Sequence, residues 1–396
     1  MNKIYDNIVI GRGLIGSAAA KYLSLSQQNV ALIGPDEESA LKDGIVFSSH
    51  YDQSRIQRII GKDETWTLLN QQSANEYDAL ENATGIHFHS GVGCLYVNPY
   101  GSDAYLDNVS TQAKKFNQNY QPFSDGELIH SSFPDFSFPA TSTGIFEPSP
   151  SGHINPRLLI KAQLKMFEKN GGVIFNDTVN SVNRENGILK IETLDGKTYH
   201  SNKVLLSPGA FINFFNLLKK KLLLRLKSET TIWAKVSADT ALRLSEMPAL
   251  LYNINEPNIQ EIYLVRPVEY PDGNFYLKMG ANFPGDINFD NLRDIQDWFK
   301  NENEGENLKV AQDALMHLIP RLSIETCYEK KCIVAYTPHG KPYIGEADDK
   351  IFVAAGGNGY SAMSSDALGK IASELLLKNN FPKEYFFENF SLVFVD

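Results

Sequence analysis

Compact apolar runs separated by glycine-rich or polar breaks organise the start of the chain. "NIVIGRGLIGSAAAKYLSLSQQNVALIGPDE" reads as an apolar strand from Asn7 to Ile10, a glycine turn, a helix opening on small residues, and a second strand from Asn29 to Ile33. The same rhythm returns much later. "GHINPRLLIKAQLKMFEKNGGVIF" predicts a helix beginning at Asn155-Pro156, where proline suits the first helical turn, and then a strand from Val173 to Phe175. Alternation from Asn180 onward, broken at Asn186-Gly187 and Asp195-Gly196, predicts a β-meander feeding a strand from Lys203 to Leu206. Near the other end, "KIFVAAGGNGYSAMSSDALGKIASELLLKN" is a strand, a turn at Gly356, Gly357 and Gly359, and a helix. Between these pieces "TTIWAKVSAD", "EIYLVRPVEY" and "NFYLKMGAN" predict antiparallel strands, while "FDNLRDIQDWFKNENE" and "ENLKVAQDALMHLIPRL" predict helices.

The pattern thus predicts a nucleotide-binding domain assembled from separated segments, with the intervals building a second domain. Gly11, Gly13 and Gly16 have the spacing such a domain needs. The first permits a tight turn, the second lets backbone approach a pyrophosphate, and the third lets helix and sheet pack closely. The helix start then offers unpaired N–H groups to phosphate. A carboxylate usually follows the second strand to bind ribose; Gly34 stands there, and Asp36 is the candidate two residues on. No basic residue nearby favours a 2′-phosphate, which leaves NAD or FAD.

Composition narrows the classes. The 396 residues suffice for two domains, and 37 Lys plus Arg against 47 Asp plus Glu give a formal net charge of -10. That sign argues against a broad nucleic-acid surface or an anionic membrane as partner. Cys94, Cys327 and Cys332 are too few for a disulfide framework, and the histidines and cysteines form no metal-ligand set. With no apparent secretory signal and no apolar run of about 20 residues, the expectation is a cytoplasmic, monomeric protein. "FINFFNLLKKKLLLRLK" is read as a buried helix running into a strand, with interface binding as its weaker alternative.

Four stretches resemble the D-amino-acid oxidase superfamily of FAD-dependent amine and amino-acid oxidases, closest to the branch containing monomeric sarcosine oxidase and N-methyltryptophan oxidase. They are the glycine fingerprint, "SSHYDQSRIQRII", "NFYLKMGAN" and "CIVAYTPHGKPYIG". The resemblance implies a fold that is α/β plus α+β: a Rossmann-like FAD-binding domain from residues 1–60, 150–215 and 325–396, and a mainly antiparallel-sheet substrate domain from 61–149 and 216–324. It implies that Ser49, His50 and Arg55 contact the flavin, that Arg58 binds a substrate carboxylate, and that Lys278 promotes reaction with molecular oxygen. It implies a covalent bond from Cys332 to the flavin, with Cys327 a lesser candidate, and cofactor contacts from the turn Gly356, Gly357, Gly359 and Tyr360. Arg55 and Arg58, three apart, would share a face if helical.

The pattern is not complete. Val334 replaces a tyrosine of the substrate pocket, Asn282 a histidine, Ser361 a lysine of the carboxylate clamp, and Tyr51 a histidine. These four positions shift the expected substrate in size or charge. The resemblance implies oxidation of the C–N bond of a secondary amine or amino acid to an imine, with oxygen becoming hydrogen peroxide. The main rival is a dehydrogenase or tailoring oxidase for a bulkier amine without the usual carboxylate. A flavin-binding protein without turnover, and an enzyme modifying RNA bases through Lys219 to Lys221, have less support.

Overall fold

In the computed structural model, residues 3–26, 29–301, 305 and 307–395 are described. The first sheet, eight-stranded among these residues, has the order Val179–Glu185, Ile188–Thr193, Thr198–Leu206, Ile4–Ile10, Val30–Ile33 and Val173–Phe175. Strand Ile351–Ala355 adds in parallel along the second half of Thr198–Leu206, and Tyr343–Asp348 pairs with it antiparallel. The two strands of the opening segment are parallel, with Ile10 beside Ile33 in one direction and Leu206 in the other. They are buried on both faces, which is why they read as unbroken apolar runs.

Helices Leu14–Ser24, Pro156–Lys169 and Ser361–Lys378 cover one face through a core that includes Ala19, Leu23, Leu164, Leu368 and Ile371. Small residues set the closeness of the crossing: a Cβ on Gly369 would lie 2.5 Å from that of Ala18. Polar contacts lock the same interface. Asp366 accepts from Lys21 Nζ at 2.5 Å and from the Tyr22 hydroxyl at 2.5 Å, all inside the helix layer.

The second sheet, nine-stranded among the described residues, runs Asn288–Phe289, Arg225–Val236, Phe275–Asn282, Ile259–Glu269, Ala249–Glu256, Cys94–Asn98, Thr143–Glu147 and Gln121–Phe123, with Thr326–Tyr336 paired to Arg225–Val236. It is mainly antiparallel, with Ala249–Glu256 and Cys94–Asn98 the parallel exception. A small third sheet has the order Arg55–Gln57, Gly152–Ile154 and His89–Ser90.

Two elements pack away from their sequence neighbours. Helix Glu64–Thr84 joins the nucleotide side, with Trp66 and Leu69 in its helix core and Ser73 Oγ accepting from Ala367 N at 3.0 Å. Strand Thr326–Tyr336 belongs to the second sheet along its whole length.

Two local expectations change. Arg55 opens a short strand, Arg55–Gln57, rather than lying on a helix, and Arg58 follows just past its end, so a shared helical face is not what relates the two. The segment read as a helix from Phe211 forms only a 3₁₀ turn, Gly209–Phe211, and then a loop. Asn213 closes that loop by donating to Leu222 O at 2.8 Å and accepting from Leu222 N at 3.0 Å, an alternative to helical backbone pairing. The helix read through "FDNLRDIQDWFKNENE" ends as Leu292–Lys300; its last residues, 302–304, and position 306 of the next helix fall outside the described residues.

Candidate active site

A single cavity of about 1280 Å³ runs from the glycine turn to the second sheet. At its nucleotide end, Gly11 has φ +113°, and a Cβ there would lie 2.1 Å from the Ser207 carbonyl oxygen. A Cβ on Gly16 would lie 1.9 Å from the Gly11 carbonyl oxygen. Both positions therefore require glycine. Gly13 caps helix Leu14–Ser24 with extended backbone and no side-chain cap, leaving the first helical N–H groups directed to the cavity end.

Gly34 is explained by the same packing, since a Cβ there would sit 2.7 Å from Arg12 N. Asp36 is outside the cavity lining and does other work. It caps helix Glu37–Asp43 through Ser39 N at 2.9 Å and accepts from Asn176 Nδ2 at 2.9 Å, and these hydrogen bonds hold its pKa below the ordinary value. Arg12, which sequence reasoning passed over, lines the cavity instead.

The segment after Ser48 runs along the cavity from the glycine turn, with His50 Nδ1 3.9 Å from where a Cβ on Gly13 would stand. Ser49, His50, Arg55 and Arg58 all line the cavity. Burial, followed by the charges of Arg157, Arg55 and Arg12, pushes His50 down to about 3, so it is neutral at ordinary pH; its Nδ1 meets the Ser48 hydroxyl. Arg55 Nε lies 3.3 Å from Asp52 Oδ2. Arg58 is 3% exposed and donates to the Tyr105 hydroxyl at 2.7 Å, with Tyr96 and Tyr360 rings 5.6 and 5.4 Å away. Its segment is held by Glu147, which accepts from Ile59 N at 2.9 Å, Ile60 N at 3.0 Å and Tyr96 OH at 2.8 Å.

Lys278 is not on the cavity surface. It is completely buried, ion-paired with Asp52 and donating to the Ser54 carbonyl at 3.0 Å. Tyr263 stands between Lys278 and the cavity, its ring 5.7 Å from Nζ. That ring fits because its cross-strand partner is Gly280, where a Cβ would come within 2.1 Å of it. A glycine inside a strand was the available sequence signal for this close approach. Burial, then Arg55, lowers the Lys278 pKa to about 8 despite Asp52; burial alone would raise Asp52, but Lys278 and Arg55 carry it down to about 2. Asp52 stands in the stretch that supplied the arginines, so its acid was visible and its partner was not.

Cys332 lines the cavity from strand Thr326–Tyr336, opposite Glu229 on the neighbouring strand. Cys327, five residues away on the opposite face, packs against the second sheet's core, and Cys94 is buried in another cluster, where burial drives its pKa up. The turn that follows is tied to the terminal glycines: Thr337 N donates to Asn358 Oδ1 at 3.0 Å, and Asn358 N to Ala335 O at 2.9 Å. Gly356, Gly357, Gly359, Tyr360, Val334, Asn282 and Ser361 complete this end of the lining. Asn282 is engaged with Glu261 and Lys227, and Ser361 Oγ donates to Gly357 O at 3.0 Å within its own turn.

Glycines that admit close backbone, uncapped helical N–H groups and an elongated cavity ending at two arginines fit an FAD molecule, and together they define a flavin-dependent oxidoreductase fold. Residues 6–375 match the family described as FAD dependent oxidoreductase, and the chain belongs to that family. The N-methyl-L-tryptophan oxidase of Yersinia pestis (strain Pestoides F) is 30% identical over 210 residues, 52% of this chain and 54% of the relative. The chain thus spans about half the length of the curated relatives it matches. Among solved structures, NikD, an unusual amino acid oxidase essential for nikkomycin biosynthesis, superposes with TM-score 0.76 at 16% identity, over 99% of this chain and 98% of that one. Glycine oxidase from Geobacillus kaustophilus gives 0.74 at 17% identity, over 98% of each chain. At such identities the likeness is one of fold. Among the described residues no helix is long and apolar enough to cross a membrane.

Proposed function

We propose that the protein oxidises the C–N bond of a secondary amine or amino acid to an imine, with molecular oxygen as acceptor and hydrogen peroxide as product. The observation that carries this reading is Arg58. It is a buried guanidinium facing the cavity, with a tyrosine hydroxyl and aromatic rings around it and, among the described residues, no carboxylate partner. A group of that kind suits a substrate carboxylate, which it can hold through paired N–H donors.

FAD, when bound, supplies the two-electron acceptor for the substrate. Two electrons and two protons leave the C–N unit, and dioxygen takes them up. The glycine turn and the N-terminus of helix Leu14–Ser24 hold the pyrophosphate. Arg55, aligned by Asp52, provides fixed positive charge at the flavin end of the cavity, and Cys332 is the attachment point for a covalent flavin. Lys278 keeps a cation one side chain behind the wall, where it favours formation of superoxide during the oxygen step. No side chain is needed as a strong base if the amine enters unprotonated. The FAD-binding part in this reading takes in helix Glu64–Thr84 besides 1–60, 150–215 and the chain after Tyr336; strand Thr326–Tyr336 goes with the substrate part.

The test is anaerobic mixing of the flavoprotein with N-methyl amino acids, cyclic amino acids and simple secondary amines. Bleaching of the flavin by at least one class, followed by peroxide release on admitting air, is expected. No bleaching by any of them would defeat the reading, and turnover only with an artificial acceptor would assign a dehydrogenase.

A further inference from the structure

Two cations share one aromatic ring at the end of the cavity. The Arg58 guanidinium carbon lies 5.4 Å, and Lys62 Nζ 4.7 Å, from the centre of the Tyr360 ring, and all three residues line the cavity. Among the described residues neither cation makes an ion pair with a carboxylate. The acid beside Lys62 is already committed: Asp63 pairs with Lys341 at 2.7 Å and caps helix Glu64–Thr84 through Trp66 N at 3.1 Å. Burial, with Lys341 and then Arg58 adding repulsion, lowers the Lys62 pKa against the opposing attraction of Asp63. Two cations that face one cavity, neither in an ion pair with a carboxylate among the described residues, repel each other, and an anion bound between them would offset that repulsion.

The backbone under Lys62 is anchored. Asn108 Nδ2 donates to Lys62 O at 2.6 Å, and Gly61 N donates to Thr67 Oγ1 at 3.0 Å, so the base of the side chain is fixed while its stem can adjust. Ser361 cannot play the same part, because it carries no charge and its hydroxyl is used by Gly357.

We propose that Lys62 is the second arm of the substrate clamp: Arg58 and Lys62 together receive an anionic group, with the Tyr360 ring as the floor between them. The cation absent at position 361 is supplied from the start of a different helix. The inference rests on the oxidase reading and sharpens it, since it assigns the substrate to carboxylate-bearing amines and sets aside neutral ones.

The experiment is titration of the flavin absorption spectrum of the holoprotein with acetate and benzoate, and with acetamide and benzamide as uncharged matches. The unaltered protein is expected to bind at least one carboxylate and to prefer it to its amide. Lys62→Met is expected to weaken that carboxylate about tenfold, as loss of a charged partner at a half-buried site does, with amide binding unchanged; Lys62→Arg is expected to retain the preference. Flavin content and melting temperature report whether each variant is folded. Carboxylate affinity untouched in Lys62→Met, an equal loss for acid and amide, or no carboxylate binding by the unaltered protein would each overturn the inference. Failure of the oxidase reading looks different: the carboxylate preference and its dependence on Lys62 persist, and no amine reduces the flavin.

Discussion

Lys278 and Asp52 form a fully buried ion pair between a strand of the second sheet and the segment that carries both site arginines. Tyr270 OH adds a 2.8 Å hydrogen bond to the same carboxylate, and Arg55 Nε approaches it to 3.3 Å. One acid thus positions two cations that face the cavity wall from different depths.

Removing that acid should be severe. Asp52→Asn leaves Lys278 buried without its carboxylate, so that it keeps an unmatched charge or gives up its proton, and breaking a buried pair in this way typically costs about 3–5 kcal/mol. The expected result is a large drop in the denaturation midpoint. Lys278→Met is the milder change, because Arg55 still accompanies Asp52. Equilibrium unfolding of the two variants side by side checks the order.

The pair also sets two pH dependences. The Lys278 pKa is lowered to about 8, so its charge is present below that value and lost in the folded protein as pH rises through it. The rate at which oxygen reoxidises the reduced flavoprotein is therefore expected to fall above pH 8, read by stopped-flow absorbance. Stability moves the other way there: an unfolded lysine still binds its proton up to its ordinary value near 10.5, so the unfolded state binds more protons and stability rises with pH. At the acid end, Asp52 is lowered from 3.8 to about 2, so its contribution is present above pH 3.8 and lost as pH falls towards 2.

Cys332 and Cys327 are separable by one assay. After acid denaturation, flavin should stay with the polypeptide in the unaltered protein and in Cys327→Ser, and should appear in the supernatant for Cys332→Ser. Retention by Cys332→Ser would remove the assignment.

Gly16→Ala places a methyl group 1.9 Å from the Gly11 carbonyl oxygen, in backbone rather than a yielding side chain. Helix Leu14–Ser24 must then move off the turn. The expectation is purification largely without FAD and a lowered melting temperature, both measurable by absorbance.

Glu147 reaches the site through backbone. Glu147→Ala removes the acceptor of Ile60 N, leaves Ile59 N with Ser151 Oγ at 3.2 Å, and takes one of two acceptors from Tyr96 OH, all next to Arg58. An increase of about tenfold or more in KM for a carboxylate substrate, with kcat less affected, is expected from misplacement of that clamp.

What could be read along the chain was whatever depends on local spacing. The glycine fingerprint, the buried strands, the proline-started helix at Asn155 and the strand-turn-helix at Gly356 are each specified by residues close together, where period, backbone freedom and capping act directly. The resemblance of four short stretches likewise found part of the cavity lining, including both arginines and Cys332. Asp36 shows the limit: its carboxylate was legible, but it caps its own helix through Ser39 N and also accepts from Asn176, 140 residues away, a contact that no local spacing records.

The chain alone therefore determined a nucleotide-binding topology, with an FAD-dependent family written into its motifs. Only the tertiary structure decided which charges meet. It put Lys278 behind Tyr263 rather than on the cavity surface, gave Arg58 a tyrosine instead of an acid, and brought Lys62 over Tyr360. The physical reason is that charge pairing and desolvation act through space over a few ångströms, and chain spacing carries no record of which distant segments will come that close.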